Sequence, residues 1–342
     1  MIPQQEQPLL RIHLTNIIGL GAIKLLESLL PHIDNNHKFQ IHELYLPYKG
    51  ALSQYNSLNA KTKTVIYKRK LPNSISRLIE CLFPNKKYDD GSPILVFGDI
   101  PLRLKKGNQT LFLQSSLLVT PWLEIPKLSA LKYIISKIIF YINIPYVKSF
   151  IVQTSVMKDK LLSIYPILDQ KVYIVPQPVP MWVKNKNKNK KELSYTKDSK
   201  LNLIYPAAFY PHKNHKILSK IILNNKEWPI LNLILTIDKK KNPAPNIDWV
   251  NCSGQLDQET LLKAYRAADG MLFLSKEESL GFPLIEAMYL GLPIVCPDLP
   301  FARVLCGDNA IYFDPNDIES LRLNINFLQN RLIEGWQPVS YT

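Results

Sequence analysis

The chain is short of cysteine, short of negative charge and without an apolar run long enough to cross a membrane. Its four cysteines, Cys81, Cys252, Cys296 and Cys306, are far apart and lack metal-ligand spacing. That excludes a disulfide framework or a zinc module and points to reduced, mostly buried thiols in a cytoplasmic protein. Acidic residues number 28 against 42 basic ones, a formal charge of +14. The surplus suits anionic partners: a nucleotide, a nucleic acid or the surface of an acidic membrane. No nucleic-acid module signature accompanies it, and basic runs such as 67–70, 86–87, 105–106 and 239–241 read as solvated loops. The most apolar stretch, 128–147, is interrupted by Lys132, Lys137, Asn143 and Pro145. It predicts a buried or interfacial helix rather than a span. The opening residues MIPQQEQPLLRIHL lack the basic start and continuous apolar core of a secretory signal. With 46% apolar residues over 342 positions, the composition is that of a globular chain with two domains as the length prior.

What is present is concentrated in residues 275–298, SKEESLGFPLIEAMYLGLPIVCPD. The run 271–274 reads as a buried strand and 294–296 as the next, with a helix over 285–290 closed by Gly291 and Pro293. A strand–loop–helix–strand unit places ligands at the carboxyl ends of its strands. Glu278 lies in the loop and Glu286 at or just inside the helix start. Gly281 permits a close backbone turn, and the amides of Gly281, Phe282 and Leu284 are placed to meet an anion at the helix N-terminus. Carboxylates beside an anion site fit one ligand class well. A nucleotide sugar needs N–H groups and cations for its diphosphate and acceptors for its hydroxyls.

The segment ESLGFPLIEAMYLGLPIV resembles the EGFGLPxxEAMxxGxPVV signature of retaining GT-B glycosyltransferases, a group that includes bacterial polysaccharide enzymes. The resemblance implies that Glu286 binds the donor ribose and Glu278 a sugar hydroxyl, with the loop amides on the diphosphate. It extends to SFIVQTSVMKDKL and KVYIVPQPV, which are similar to the family's closing elements of the first domain and place the crossover near residues 176–180. Residues 206–214, PAAFYPHKN, resemble the family's VGRLxPxKN element, so Lys213 matches the phosphate-neutralising lysine. The family's arginine falls at Ala208, leaving His212 or another lysine as a substitute cation. NCSGQL over 251–256 resembles the strand-end turn that reads the base, making Gly254 and Leu256 donor-side candidates.

The first half carries the resemblance only by architecture. A strand over 9–14, the turn with Gly19 and Gly21, and a helix through Leu30 make a Rossmann-like opening. Further strands are expected over 42–46, 64–67, 93–97 and 111–113. Residues following the ends of the last two, Asp99, Arg103, Gln114 and Ser115, are acceptor-side candidates. The tract 184–191, KNKNKNKK, cannot build a core. A helix is expected from about His215, and Trp336 is expected to anchor a C-terminal tail against the first domain.

These readings lead to an α/β chain of the GT-B class, two Rossmann-like domains facing a central cleft. The expected boundaries are 1–178, 179–330 and a tail at 331–342. The implied reaction is retaining transfer of a hexosyl or deoxyhexosyl unit from a nucleotide-diphosphate sugar to a hydroxyl of a growing glycan or lipid-linked oligosaccharide. Glu278, Lys213 and Asp99 are the catalytic candidates. No cofactor or metal is required, because Lys213, a helix dipole and loop amides can stabilise the leaving diphosphate. The setting is cytoplasmic, with peripheral contact to an anionic membrane and no nucleic-acid partner. A non-catalytic nucleotide-binding protein and a sugar-nucleotide epimerase of the same architecture remain alternatives.

Overall fold

Short, nearly continuous apolar segments alternate with helix-forming stretches along the whole chain, the pattern of parallel strands covered on both faces. In the computed structural model the described residues are 9–17, 20–34, 40–57, 59–68, 73–84, 86–114, 116–119, 130–184, 195–221 and 227–336. Gly19, Ser115 and the tract 185–191 lie outside them. The chain divides into two compact units, 1–177 and 178–342.

In the first unit the strands are β1 (Leu9–His13), β2 (Gln40–Pro47), β3 (Lys63–Tyr67), β4 (Ile94–Phe97), β5 (Gln109–Phe112), β6 (Val147–Val152) and β7 (Val172–Ile174). They pair in parallel in the order β3-β2-β1-β4-β5-β6-β7. The helices are α1 (Leu20–Asp34), α2 (Asn73–Leu82), α3 (Ala130–Asn143) and α4 (Ser155–Ile164). Thr154 caps α4 by accepting the Met157 amide at 3.2 Å. One core gathers Val96, Leu111, Phe140, Phe150 and Leu161; full burial of each such side chain contributes roughly 1.5–3 kcal/mol.

The second unit has β8 (Leu201–Tyr205), β9 (Ile230–Leu235), β10 (Val250–Cys252), β11 (Gly270–Leu272), β12 (Ile294–Pro297) and β13 (Ile311–Phe313). Their order is β10-β9-β8-β11-β12-β13, again all parallel. Its helices are α5 (Met181–Lys184), α6 (Gln258–Ala267), α7 (Phe282–Leu290), α8 (Pro300–Cys306) and α9 (Ile318–Ile333). Trp336 packs against this unit's own core, with Arg331 stacked on its ring at 5.2 Å. In each unit the strand order reverses beside the first strand, between β1 and β4 and between β8 and β11. Such reversals open the crevice in which α/β sheets bind ligands.

Two elements differ from the sequence expectation. The stretch from His215 is a 3-10 helix, His215–Lys220, not an α-helix. Asn214 precedes it in the left-handed region, φ 52°, and its amide side chain donates to the Pro315 carbonyl at 3.0 Å, holding that bend. Helix α7 begins at Phe282, three residues earlier than expected, because Gly281 turns at φ 85° and Pro283 suits the first helical turn. Glu286 consequently lies in the second turn rather than at the start.

Candidate functional site

The polar residues at the end of β8 and those after β11 meet at the switch point of the second sheet. From β8 the chain passes through 206–214. From β11 it passes through Ser275 to Gly281 before entering α7. Three contacts join the two loops. The Lys276 amide donates to the His212 carbonyl at 2.7 Å, and the Ser275 hydroxyl donates to the same carbonyl at 3.3 Å. The Lys213 ammonium forms an ion pair with the Glu278 carboxylate. Both side chains are largely buried, 16% and 11% exposed, so each charge depends on the other for compensation.

Tyr205, the last residue of β8, braces this arrangement from below. Its hydroxyl donates to the Lys213 carbonyl at 2.9 Å. Burial and the nearby Glu278 charge push the phenol well above its usual range, so it stays a neutral donor. His212 stacks on Tyr210, with ring centroids 5.6 Å apart and planes 6° apart. Burial and the Lys213 charge lower its basicity, opposed by Glu278 and Glu277.

His215 is buried against the rings of Tyr205 and Phe209, and among the described residues neither of its ring nitrogens has a hydrogen-bond partner. Burial first, then Lys213 and His212, lower its pKa to about 4, which keeps it neutral under the lysine.

Gly281 is needed where it stands. A side chain there would require φ 85° and would place its Cβ 3.2 Å from Leu284 Cδ1. The turn spends one of the three amides expected to face an anion, since Leu284 N–H donates to the Gly281 carbonyl at 3.0 Å. Among the described residues the Gly281 and Phe282 amides donate to no backbone carbonyl. They are the two groups at this helix start that an anion can use. One turn further on, Glu286 is 7% exposed and its Oε2 accepts the Tyr265 hydroxyl at 2.8 Å. Burial, then the Glu286 charge, hold Tyr265 protonated, so the phenol fixes the orientation of the carboxylate.

Lys213, His212, Glu278, Gly281, Phe282, Leu284 and Glu286 thus surround one switch point. Gly254 and Leu256 follow β10, two strands from β8, where Gly254 turns at φ 75° and its amide donates to the Ile237 carbonyl at 3.0 Å. Helix α6, which starts just after them, delivers Tyr265 to Glu286. In the first unit Gly21 falls in the first turn of α1, and Asp99 lies two residues past the end of β4 at Phe97. Arg103 is tied locally, its guanidinium over the Tyr146 ring at 4.6 Å and its amide on the Glu80 carbonyl at 3.1 Å. Gln114 lies two residues past the end of β5, with a buried Nε2 that has no partner among the described residues. The bond from Tyr265 to Glu286 has no counterpart in the sequence reading. The available signal was a phenol on an apolar helix stripe, which when buried needs a polar partner.

Residues 185–331 match the family model described as Glycosyl transferases group 1. O-antigen chain mannosyltransferase B of Escherichia coli is 30% identical over 92 residues, 27% of this chain and 24% of that protein. O-antigen chain mannosyltransferase RfbU of Salmonella typhimurium is 23% identical over 174 residues, 48% of this chain and 46% of that one. The alignments therefore span between 24% and 46% of the length of these curated relatives. A glycosyltransferase structure from Rickettsia africae superposes with a TM-score of 0.61 at 14% identity, covering 96% of this chain and 89% of the other. Two doubly wound units and that superposition give the chain a GT-B fold, and its residues 185–331 are similar to the group 1 glycosyltransferases.

Proposed function

We propose that the protein is a retaining glycosyltransferase that moves a hexosyl or deoxyhexosyl unit from a nucleotide-diphosphate sugar to a hydroxyl of a growing glycan or lipid-linked oligosaccharide. The observation that carries the reading is the Lys213–Glu278 pair at the β8/β11 switch point, on the loop that leads into the helix bearing the Tyr265-oriented Glu286. A donor diphosphate competes with Glu278 for Lys213 and takes the Gly281 and Phe282 amides, while Glu278 turns to accept a hydrogen bond from the sugar. Glu286 accepts from the ribose. Lys213 and the two amides then stabilise the charge that grows on the leaving phosphate, in a site where water competes little. The bond from the anomeric carbon to the phosphate oxygen breaks and the bond to the acceptor oxygen forms on the same face. The acceptor proton passes to the departing phosphate, so the step uses no metal. Gly254 and Leu256 hold the base. Asp99, Gln114, Ser115 and the Gly19–Gly21 turn serve the acceptor.

Because the curated relatives are named as O-antigen mannosyltransferases, a mannosyl donor is the first choice, and surface polysaccharide assembly at the inner face of the cytoplasmic membrane is the proposed setting. The test is turnover of GDP-, UDP-, dTDP- and ADP-sugars with lipid-linked acceptors in the presence of a chelator, with the product anomer read by NMR. Transfer with retained configuration supports the proposal. Release of a free 2-epimer, inversion, or nucleotide binding without turnover across that panel contradicts it.

A further inference from the structure

The first sheet has a switch point of its own, between β1 and β4, and Arg77 of α2 reaches it. Gly98 follows β4 with φ 145°, a backbone that side chains rarely adopt. A Cβ there would stand 3.9 Å from Arg77 Nη2 and 3.8 Å from Asn16 Cβ, so the missing side chain leaves space open beside the guanidinium. The far end of α2 is fastened to the rest of the unit. The Arg103 amide donates to the Glu80 carbonyl at 3.1 Å, and Asn143 Nδ2 donates to the Cys81 carbonyl at 2.8 Å. Arg77 is therefore held at the turn by the helix that carries it.

What the guanidinium lacks is a counter-charge. Arg77 Nε is buried without a hydrogen bond, and among the described residues no carboxylate pairs with the side chain. Glu80, one turn along the same helix, and Asp99, next to Gly98, have other contacts. A guanidinium presents five N–H donors in a rigid fork and stays charged at any working pH. Unpaired beside an open turn, it fits a ligand that brings the negative charge. The next strand ends add neutral groups in the same state. Gln114 Nε2, past β5, and Gln153 Oε1, just past β6, are buried without partners among the described residues. One is a donor and the other an acceptor, the pair that sugar hydroxyls satisfy. Strands β4, β5 and β6 are consecutive in the sheet, which spreads these groups over about 10 Å, a reach of one or two sugar rings. We propose that Arg77 binds an anionic group of the acceptor, a phosphate or a carboxylate, with Gln114 and Gln153 on the adjoining sugar hydroxyls. The assignment to an acceptor rests on the glycosyl-transfer reading above; the anion site itself does not.

The test is titration calorimetry of the full chain with glucose 1-phosphate, glucuronate and, as the uncharged control, methyl glucoside. Wild type is compared with Arg77→Gln, Arg77→Lys and Lys213→Ala. The proposal expects wild type to bind at least one anionic sugar about tenfold or more tightly than methyl glucoside. Lys213→Ala keeps that affinity, Arg77→Gln loses about tenfold or more of it, and Arg77→Lys regains part. The preference between the two anionic sugars tells phosphate from carboxylate. Because Arg77 has no partner to lose, Arg77→Gln melts at the wild-type temperature and keeps nucleotide-induced stabilisation, which reads the donor site separately. The proposal is overturned if neither anionic sugar binds wild type at millimolar concentration, or if Arg77→Gln binds them equally. It is also overturned if Lys213→Ala alone abolishes binding, which would place the anion at the donor site. A melting temperature several degrees lower for Arg77→Gln without ligand would make the arginine structural and overturn it as well. Anion binding through Arg77 in a chain that no nucleotide stabilises would keep the site and sink the transfer reading instead.

Discussion

Both units wind their strands in the same order from the first strand outward, yet they spend the polar residues at their switch points on different tasks. In the first unit Arg11 on β1 is 2% exposed and donates to the carbonyls of Tyr88 and Ser92 at 3.1 and 2.9 Å while pairing with Asp90 at 2.7 Å. His13 is fully buried, bonded to Thr15 Oγ1 at 3.0 Å and edge-on to Tyr88 at 5.1 Å. These groups fasten the loop at 87–92 to the sheet. At the second switch point the carboxylate that pairs with the cation among the described residues is Glu278 on a different loop, which leads on to the Gly281 and Phe282 amides. An arginine enclosed by carbonyls is a structural clamp. A lysine whose compensation is a single carboxylate can exchange it for a phosphate.

The strongest way to sharpen this contrast is Glu286→Ala, which should abolish nucleotide-induced stabilisation and lower kcat/KM by about 10²-fold, the scale of losing a buried hydrogen bond to a charged group. Calorimetry with and without nucleotide checks the first part, and a coupled assay for nucleotide diphosphate release checks the second.

Next in size is a pH effect. His215 is held neutral with a pKa of about 4, while the unfolded chain takes up a proton below about pH 6.5. Its contribution is therefore fully present above pH 6.5 and is lost as pH falls toward 4, up to about 3 kcal/mol in all. His215→Leu should flatten that part of the profile in a series of urea melts between pH 4 and 7. An unchanged slope would mean another group is responsible.

Lys213→Ala should reduce turnover by about 10²-fold and weaken nucleoside diphosphate binding more than nucleoside binding, as read by titration calorimetry. Lys213→Arg should not restore it, because a fork does not replace a point charge on this short reach. In the first unit, Thr15→Val removes the partner of His13 and should cost about 1 kcal/mol in a denaturant melt. Its nucleotide affinity should match wild type, and a loss there would erase the distinction between the two switch points. The smallest effect belongs to Lys263→Ala. The Glu259–Lys263 pair is exposed on both sides, so stability should change by less than about 0.5 kcal/mol.

Much of the fold is visible in local pattern. The runs LLRIH, ILVF and IVCP announce buried strands because parallel strands are apolar on both faces. Helix α2 went unread, since its stripe over Ile75–Ile79 serves no core and spans only ten residues. At the site, Gly281 and Pro283 marked a turn into a helix, but not that the turn would consume the Leu284 amide. The contacts that define the site join residues far apart in the chain: Lys213 with Glu278, and Tyr265 with Glu286. Each is set by the sheet order, which brings β11 beside β8, and by α6 packing on α7, neither of which is a property of any single segment. In the first unit the resemblance supplied architecture without motifs. Arg103, an acceptor-side candidate from its place after a strand, lies over the Tyr146 ring, a contact between distant segments that no local pattern announces.

The central claim is that the β8/β11 switch point holds a nucleotide diphosphate through Lys213 and Glu286. Its most direct test is thermal stabilisation by UDP, GDP, dTDP and ADP, measured on wild type and on Glu286→Ala, since a ligand that binds the folded state raises the melting temperature. The account predicts that one of the four stabilises wild type and that Glu286→Ala loses the shift while remaining folded. No shift with any of them at millimolar concentration, or an equal shift in the variant, would contradict it.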